Sequence, residues 1–182
     1  MPEVIEWKTA GPEDIVWRYP NEEITWGAQL VVHEYEMAVF FRDGKAYDVL
    51  GPGRHTLTTL NLPLLSGLLR RIAGFGEKPF KAAVIFISTK VFEGKYGTSA
   101  QTTELAPLKV FGGFWFKVEN GQLFVNEVVG GQKAYTTEDV NNFLRGYLNE
   151  KIIDELSHYD LVTVFTRLDE TSVIVKNAVM DY

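Results

Sequence analysis

The pair Asp43-Gly44 constrains the fold more than any other short feature of the chain. It stands between residues 30–42, rich in β-branched and aromatic side chains, and the shorter run 45–50. Two residues of this kind fit a type I′ turn, where glycine takes a positive φ without steric cost. A β-hairpin follows. Its unbroken register sets Ala38 against Val49, Val39 against Asp48 and Phe40 against Tyr47. Apolar residues then lie on both faces, so both faces need a cover. Gly51-Pro52-Gly53 closes the hairpin with a further turn.

The rest of the chain reads mainly as strands first and helices later, the order of an α+β protein. Residues 15–18 and 24–26 are short edge-strand candidates, with turns at Gly11-Pro12 and Tyr19-Pro20-Asn21. Residues 82–87 form a six-residue apolar run, which fits a strand buried on both faces. Residues 108–118 make another strand, interrupted by Gly112-Gly113. Asn120-Gly121 fits either a second hairpin turn or the start of a short helix through Leu123, Phe124, Val128 and Val129. The clearest helix covers 138–157, capped by Thr136 or Thr137, with Glu138 and Asp139 at the positive end of its dipole. Val140, Phe143, Leu144, Tyr147, Leu148, Ile152 and Leu156 form its apolar stripe. A last helix is expected to start at Asp169-Glu170-Thr171-Ser172, with Val175, Ala178, Val179 and Tyr182 on one side. The sequence stops inside that pattern, which leads us to expect a domain cut from a longer protein.

Composition excludes several functions. There is no cysteine, so thiolate zinc sites, disulfides, iron–sulfur clusters and cysteine nucleophiles are impossible in these 182 residues. A net charge of −6 argues against non-specific nucleic-acid binding. Apolar residues make up 46% of the chain, too many for a disordered tail. The first residues are acidic and lack the basic cluster of a signal peptide, so no secretory leader is expected, and no apolar run in these residues is long enough to span a bilayer. The expected location is cytoplasmic, with peripheral placement on the inner face of the cell membrane.

No catalytic constellation emerges, and no cofactor or metal is expected. His33, His55 and His158 fall in three different elements, and Glu34 and Glu36 are expected on the strand face opposite His33. No serine stands in a nucleophile elbow, and Gly51-Pro52-Gly53 and Gly74-Phe75-Gly76 lack the third glycine of a dinucleotide loop. The most informative stretch is the leucine-rich segment 60–76. Leu62, Leu64, Leu65, Leu68, Leu69 and Ile72, with Arg70 and Arg71, could lie on a membrane interface. The competing reading packs them on the sheet or on a neighbouring subunit. Asp43, Gly44, Gly51, Pro52 and Gly53 are structural turns that present these surfaces.

Residues 27–45 and Gly51-Pro52-Gly53-Arg54-His55-Thr56-Leu57 carry a family resemblance. A strand, here Ala38-Val39-Phe40-Phe41-Arg42, is followed by a Gly-Pro-Gly turn, as in the SPFH (stomatin, prohibitin, flotillin; band 7) superfamily. The segments 57–65 and Tyr135-Thr136-Thr137-Glu138-Asp139 resemble its "virion core protein-like" branch. The resemblance implies one SPFH domain over 1–182: an antiparallel β-rich lobe (1–79), then an α/β lobe (80–182) with a long amphipathic helix. It also makes 122–130 a short helix. Beyond Tyr182 it implies a last strand and a helical tail that drives ring or cage assembly. The function it implies is a non-enzymatic oligomeric scaffold that organises proteins at a membrane surface. Two rivals are a soluble shell subunit and a protein-binding adaptor.

Overall fold

A computed structural model describes residues 3–73, 79–130 and 136–166. The expected C-terminal helix, Gly74-Phe75-Gly76 and Tyr135 lie outside these residues. The elements run β1 (Val4–Glu6), β2 (Val16–Arg18), β3 (Glu23–Ile24), β4 (Gln29–Val32), β5 (Glu36–Arg42), β6 (Lys45–Leu50), β7 (Gly53–Thr56) and α1 (Pro63–Ala73). Then come β8 (Phe80–Lys81), β9 (Ala83–Ser88), β10 (Phe92–Gln101), β11 (Pro107–Phe116), α2 (Gly121–Phe124), a π-helical turn (Val125–Gly130), α3 (Thr137–Leu156) and α4 (Leu161–Thr166). The architecture is mixed α+β, with strands preceding the long helix.

Packing divides the chain into two units, Met1–Lys90 with Lys117–Val140, and Val91–Phe116 with Asn141–Tyr182. The division does not fall at residue 79. β9 is an inner strand of the four-stranded sheet of the first unit, in the order β2-β9-β5-β6. All six residues of β9 are buried, as a strand covered on both faces requires. A second sheet of the first unit has the order β1-β4-β7, with β1 parallel to β4 and β7 antiparallel to it.

The β5–β6 hairpin turns at Asp43 (φ +50°) and Gly44 (φ +78°), as the I′ geometry demands. Its register departs from the unbroken one. Arg42 pairs with Lys45 and Phe41 with Ala46, but Val39 pairs with Val49 and Ala38 with Leu50. Tyr47 and Asp48 together oppose Phe40, which is a β-bulge. An extra residue reverses the alternation of side chains beyond it. Tyr47 and Leu50, which a regular strand would put on opposite faces, therefore both pack on one core.

That core gathers Ala38 and Phe40 of β5, Val84 and Phe86 of β9, Leu30, Ile5, Trp7, Leu57, Leu62 and Leu65. Trp7 stacks on Trp17 with centroids 6.2 Å apart. The other face of β5 is covered by α2 and the π-helical turn. A side chain at Gly121 would collide with Met37, and one at Gly130 with Phe41, so both glycines allow close approach to the sheet. The same segment seals the β6 edge. Asn126 Oδ1 accepts from Ala46 N at 2.7 Å, and Gln122 Nε2 donates to the carbonyls of Ala46 and Tyr47. Asn120 caps α2, accepting from Leu123 N at 2.9 Å. The segment is thus a helix, not a returning strand.

Thr136 and Asp139 cap α3 reciprocally: Thr136 Oγ1 accepts from Asp139 N, and Asp139 Oδ2 accepts from Thr136 N. Thr137 has another task. Its Oγ1 accepts from Ile15 N and Val16 N and donates to Val16 O, tying the start of α3 to β2.

In the second unit, β10 and β11 form a ten-pair antiparallel ribbon. Leu148, Ile152 and Leu156 of α3 pack on Ala100 and Leu108, joined by Val164 of α4. β11 runs unbroken through Gly112-Gly113. Tyr96 lies over Gly112, where a Cβ would sit 2.8 Å from its hydroxyl oxygen, and Phe114 lies over Gly94 in the same way. The glycines make room for aromatic rings from the opposite strand.

The bulge delivers Asp48 to α1. Its carboxylate, buried at 6% exposure, accepts from Leu64 N at 3.1 Å and Leu65 N at 2.8 Å. These are free amides of the first helical turn, so Asp48 caps α1 from a neighbouring strand. Asp48→Ala is expected to lower the unfolding free energy by about 2 kcal/mol in urea titrations. Asp48→Asn, which keeps one acceptor oxygen, should lose about half of that.

Candidate functional site

The leucine-rich segment becomes a tied loop and a helix. In the loop, Asn61 Oδ1 accepts from Thr58 N at 2.9 Å, and Asn61 Nδ2 donates to Thr56 O at 2.8 Å. Leu60 N donates to Thr58 Oγ1. These bonds fix a short loop that leaves Leu60 outside, 89% exposed. Pro63 then opens α1 at the position where a missing N–H costs nothing.

The eight candidate contact residues do not share one surface. Leu62 and Leu65 are fully buried in the core of the first unit, so they are unavailable to lipid or partner. Leu68 and Leu69 are partly buried against that core. Leu64, 55% exposed, faces outward, and Arg70 and Arg71 are exposed. Ile72's side chain lies outside the described residues. The segment is amphipathic, with packing and presentation divided between its two sides: the i, i+3 pair Leu62/Leu65 anchors it and Leu64 projects. Leu60, which opens the segment, is the most exposed of its leucines.

The turn residues keep structural roles. Asp43 and Gly44 make the hairpin turn, and Gly53 takes φ +131° as β7 begins. Gly51 and Pro52 are exposed at the bend, which His55 ties by a 2.8 Å contact from Nε2 to Gly51 O.

His33 differs from expectation. β4 ends at Val32, and the chain turns through Tyr35 at φ +63°. This brings Glu36 back toward the imidazole instead of across the strand. His33 Nε2 lies 2.7 Å from Glu6 Oε1, and Nδ1 lies 3.4 Å from Glu36 Oε2. The hydrogen bond to Glu6 raises the histidine pKa; desolvation opposes this, and the Glu36 charge supports it. Tyr19 is also shifted upward, by burial and then by Glu3, to which its hydroxyl donates at 3.2 Å. His158 sits 4.0 Å from Asp154 on an exposed surface. Among the described residues no cluster of three or more His, Asp and Glu side chains has the arrangement to hold a metal ion.

A second apolar surface escaped the sequence reading. On β11, Leu108, Val110, Phe114 and Phe116 turn toward the interior side of the ribbon. The alternate positions put Phe111 (83% exposed) and Trp115 (76% exposed) on the outer face. The signal was present in the period-two pattern: in 107–116 the odd positions hold two large aromatics separated by Gly113.

No helix among the described residues is long and apolar enough to cross a membrane. The sequence matches the SPFH domain-Band 7 family over residues 16–181. It is also 26% identical over 158 residues to the uncharacterized protein YdjI of Bacillus subtilis (strain 168), covering 82% of this chain and 49% of that protein. The chain spans about half the length of this curated relative. With the family match extending over nearly all of it, the chain belongs to the SPFH domain-Band 7 family.

The division within the leucine segment is measurable. Leu65→Ala should cost about 2–5 kcal/mol in urea unfolding, since it empties a buried site. Leu64→Ala should stay within about 0.5 kcal/mol.

Proposed function

Starting from that membership, we propose that this domain is a non-enzymatic scaffold module. It rests peripherally on a membrane surface and gathers copies of itself and partner proteins there. The family is generally non-enzymatic and typically self-associates, which supports the outline of this reading. One observation carries the membrane part: Leu60 and Leu64 project from a loop and a helix start that are hydrogen-bonded in place, on the same short segment as Arg70 and Arg71. Apolar side chains with nearby cations suit the boundary between headgroups and acyl chains. A net charge of −6 weakens general attraction to anionic lipid, so contact falls to this local feature.

Flotation on vesicles of phosphatidylcholine with phosphatidylglycerol tests it. Binding of the wild type should fall severalfold in Leu60→Glu/Leu64→Glu, while the fold, followed by circular dichroism, stays intact. Equal flotation of the two proteins contradicts the membrane reading.

The outer face of the ribbon supports a second reading, a protein-binding adaptor or shell subunit without lipid contact. Phe111 and Trp115 are aromatic anchors of the kind enriched in protein interfaces. Sedimentation velocity would favour it if Phe111→Ser/Trp115→Ser abolishes self-association of a protein that does not float.

A further inference from the structure

We propose that Glu6, His33 and Glu36 form a pH-responsive clasp that holds strand β1 on β4 more tightly in acid than in alkali. The proposal is independent of the scaffold reading. It rests on the position of one imidazole between two carboxylates from different strands.

β1 is a three-residue strand at the edge of its sheet, paired only with β4 among the described residues. It nevertheless carries Ile5 into the core and leads directly to Trp7 there. Short edge strands open readily. The bonds that hold this one include Gln29 N to Glu3 O at 2.8 Å and the Glu6–His33 contact at 2.7 Å. Glu36 fixes the other side of the ring. It is buried, its Oε1 accepts from His33 N at 3.2 Å, and its Oε2 faces Nδ1.

A neutral imidazole has one N–H and one lone pair. Only the protonated ring donates to both carboxylates; the neutral ring sets a lone pair against one of them. The charges acting on His33 are Glu6 of β1 and Glu36 of β5. Glu34 on the intervening turn and Arg54 on β7 are exposed.

The direction follows from linkage. The pKa of His33 is raised on folding. The stabilisation is therefore complete below the ordinary histidine value of about 6.5 and is lost as pH rises through the folded value. His33 is 42% exposed at its side chain, so water screens part of the effect.

The test is native-state amide exchange with NMR titration of the His33 ring. Gln29 N–H, bonded to Glu3 O at the start of β1, is compared with Ala82 N–H, bonded to Glu22 O away from the clasp, in the same sample. Taking their ratio removes the intrinsic pH dependence of exchange. Between about pH 6 and about pH 9, relative protection of Gln29 should fall severalfold. The ratio should be flat in His33→Gln and in Glu6→Gln. Titration of wild-type His33 at or below the ordinary histidine value would overturn the clasp, as would an unchanged slope in His33→Gln. The wild-type ring titration needs no variant, so the test survives a variant that folds poorly.

Discussion

The first unit depends on where one buried carboxylate points. Asp48 lies on a strand whose neighbours are apolar, and an unpaired carboxylate there would be costly. Two helix amides satisfy it, and in turn it satisfies them. This exchange fixes the start of α1 against β6, which seats Leu62 and Leu65 in the core. Leu64 is then left outward by helix geometry alone. The exposed apolar surface is thus a consequence of a polar contact beneath it. The bulge at Tyr47-Asp48 is part of the same arrangement, since it changes the alternation of β6 where the helix begins.

The same logic of one contact fixing another recurs on the far side of the hairpin. β5 has no solvent face: Ala38 and Phe40 serve the main core, while Met37 and Phe41 meet the glycines of the α2 and π-helical segment. That segment also uses Asn126 and Gln122 to occupy the backbone groups of β6. A sheet edge that would otherwise invite strand addition is closed by side chains. Assembly of this domain is therefore not expected through β6. In the second unit, the aromatic surface of the ribbon remains on display.

Much of the fold was legible in the sequence. Asp43-Gly44 located the hairpin because a type I′ turn needs two positive φ angles and few residue pairs supply them. The stripe on α3 was legible because Leu148, Ile152 and Leu156 repeat at helical spacing. The register of β6 was not, since a bulge leaves no mark in a two-residue pattern. The orientation of Leu62 and Leu65 was equally hidden. A run of leucines states that something is buried and does not say which members, until Asp48 fixes the phase of the helix. His33 was misread because the chain turns at Tyr35, a residue that rarely adopts a positive φ. The family resemblance gave the architecture and the short helix after Asn120. Its residues are turns and strands, which is why it speaks to form more than to activity.

On the proposed scaffold reading Leu64 meets a lipid surface while Leu62, two residues away, stays in the core. The absence of cysteine makes the measurement clean, because Leu64→Cys creates the single attachment point for a nitroxide. On adding vesicles with anionic lipid, a label at position 64 should gain oxygen accessibility and lose accessibility to a polar relaxant. A label at position 111 serves as the comparison and reports the other exposed surface. No change at 64, or a larger change at 111, would contradict the account and move the contact to the aromatic ribbon.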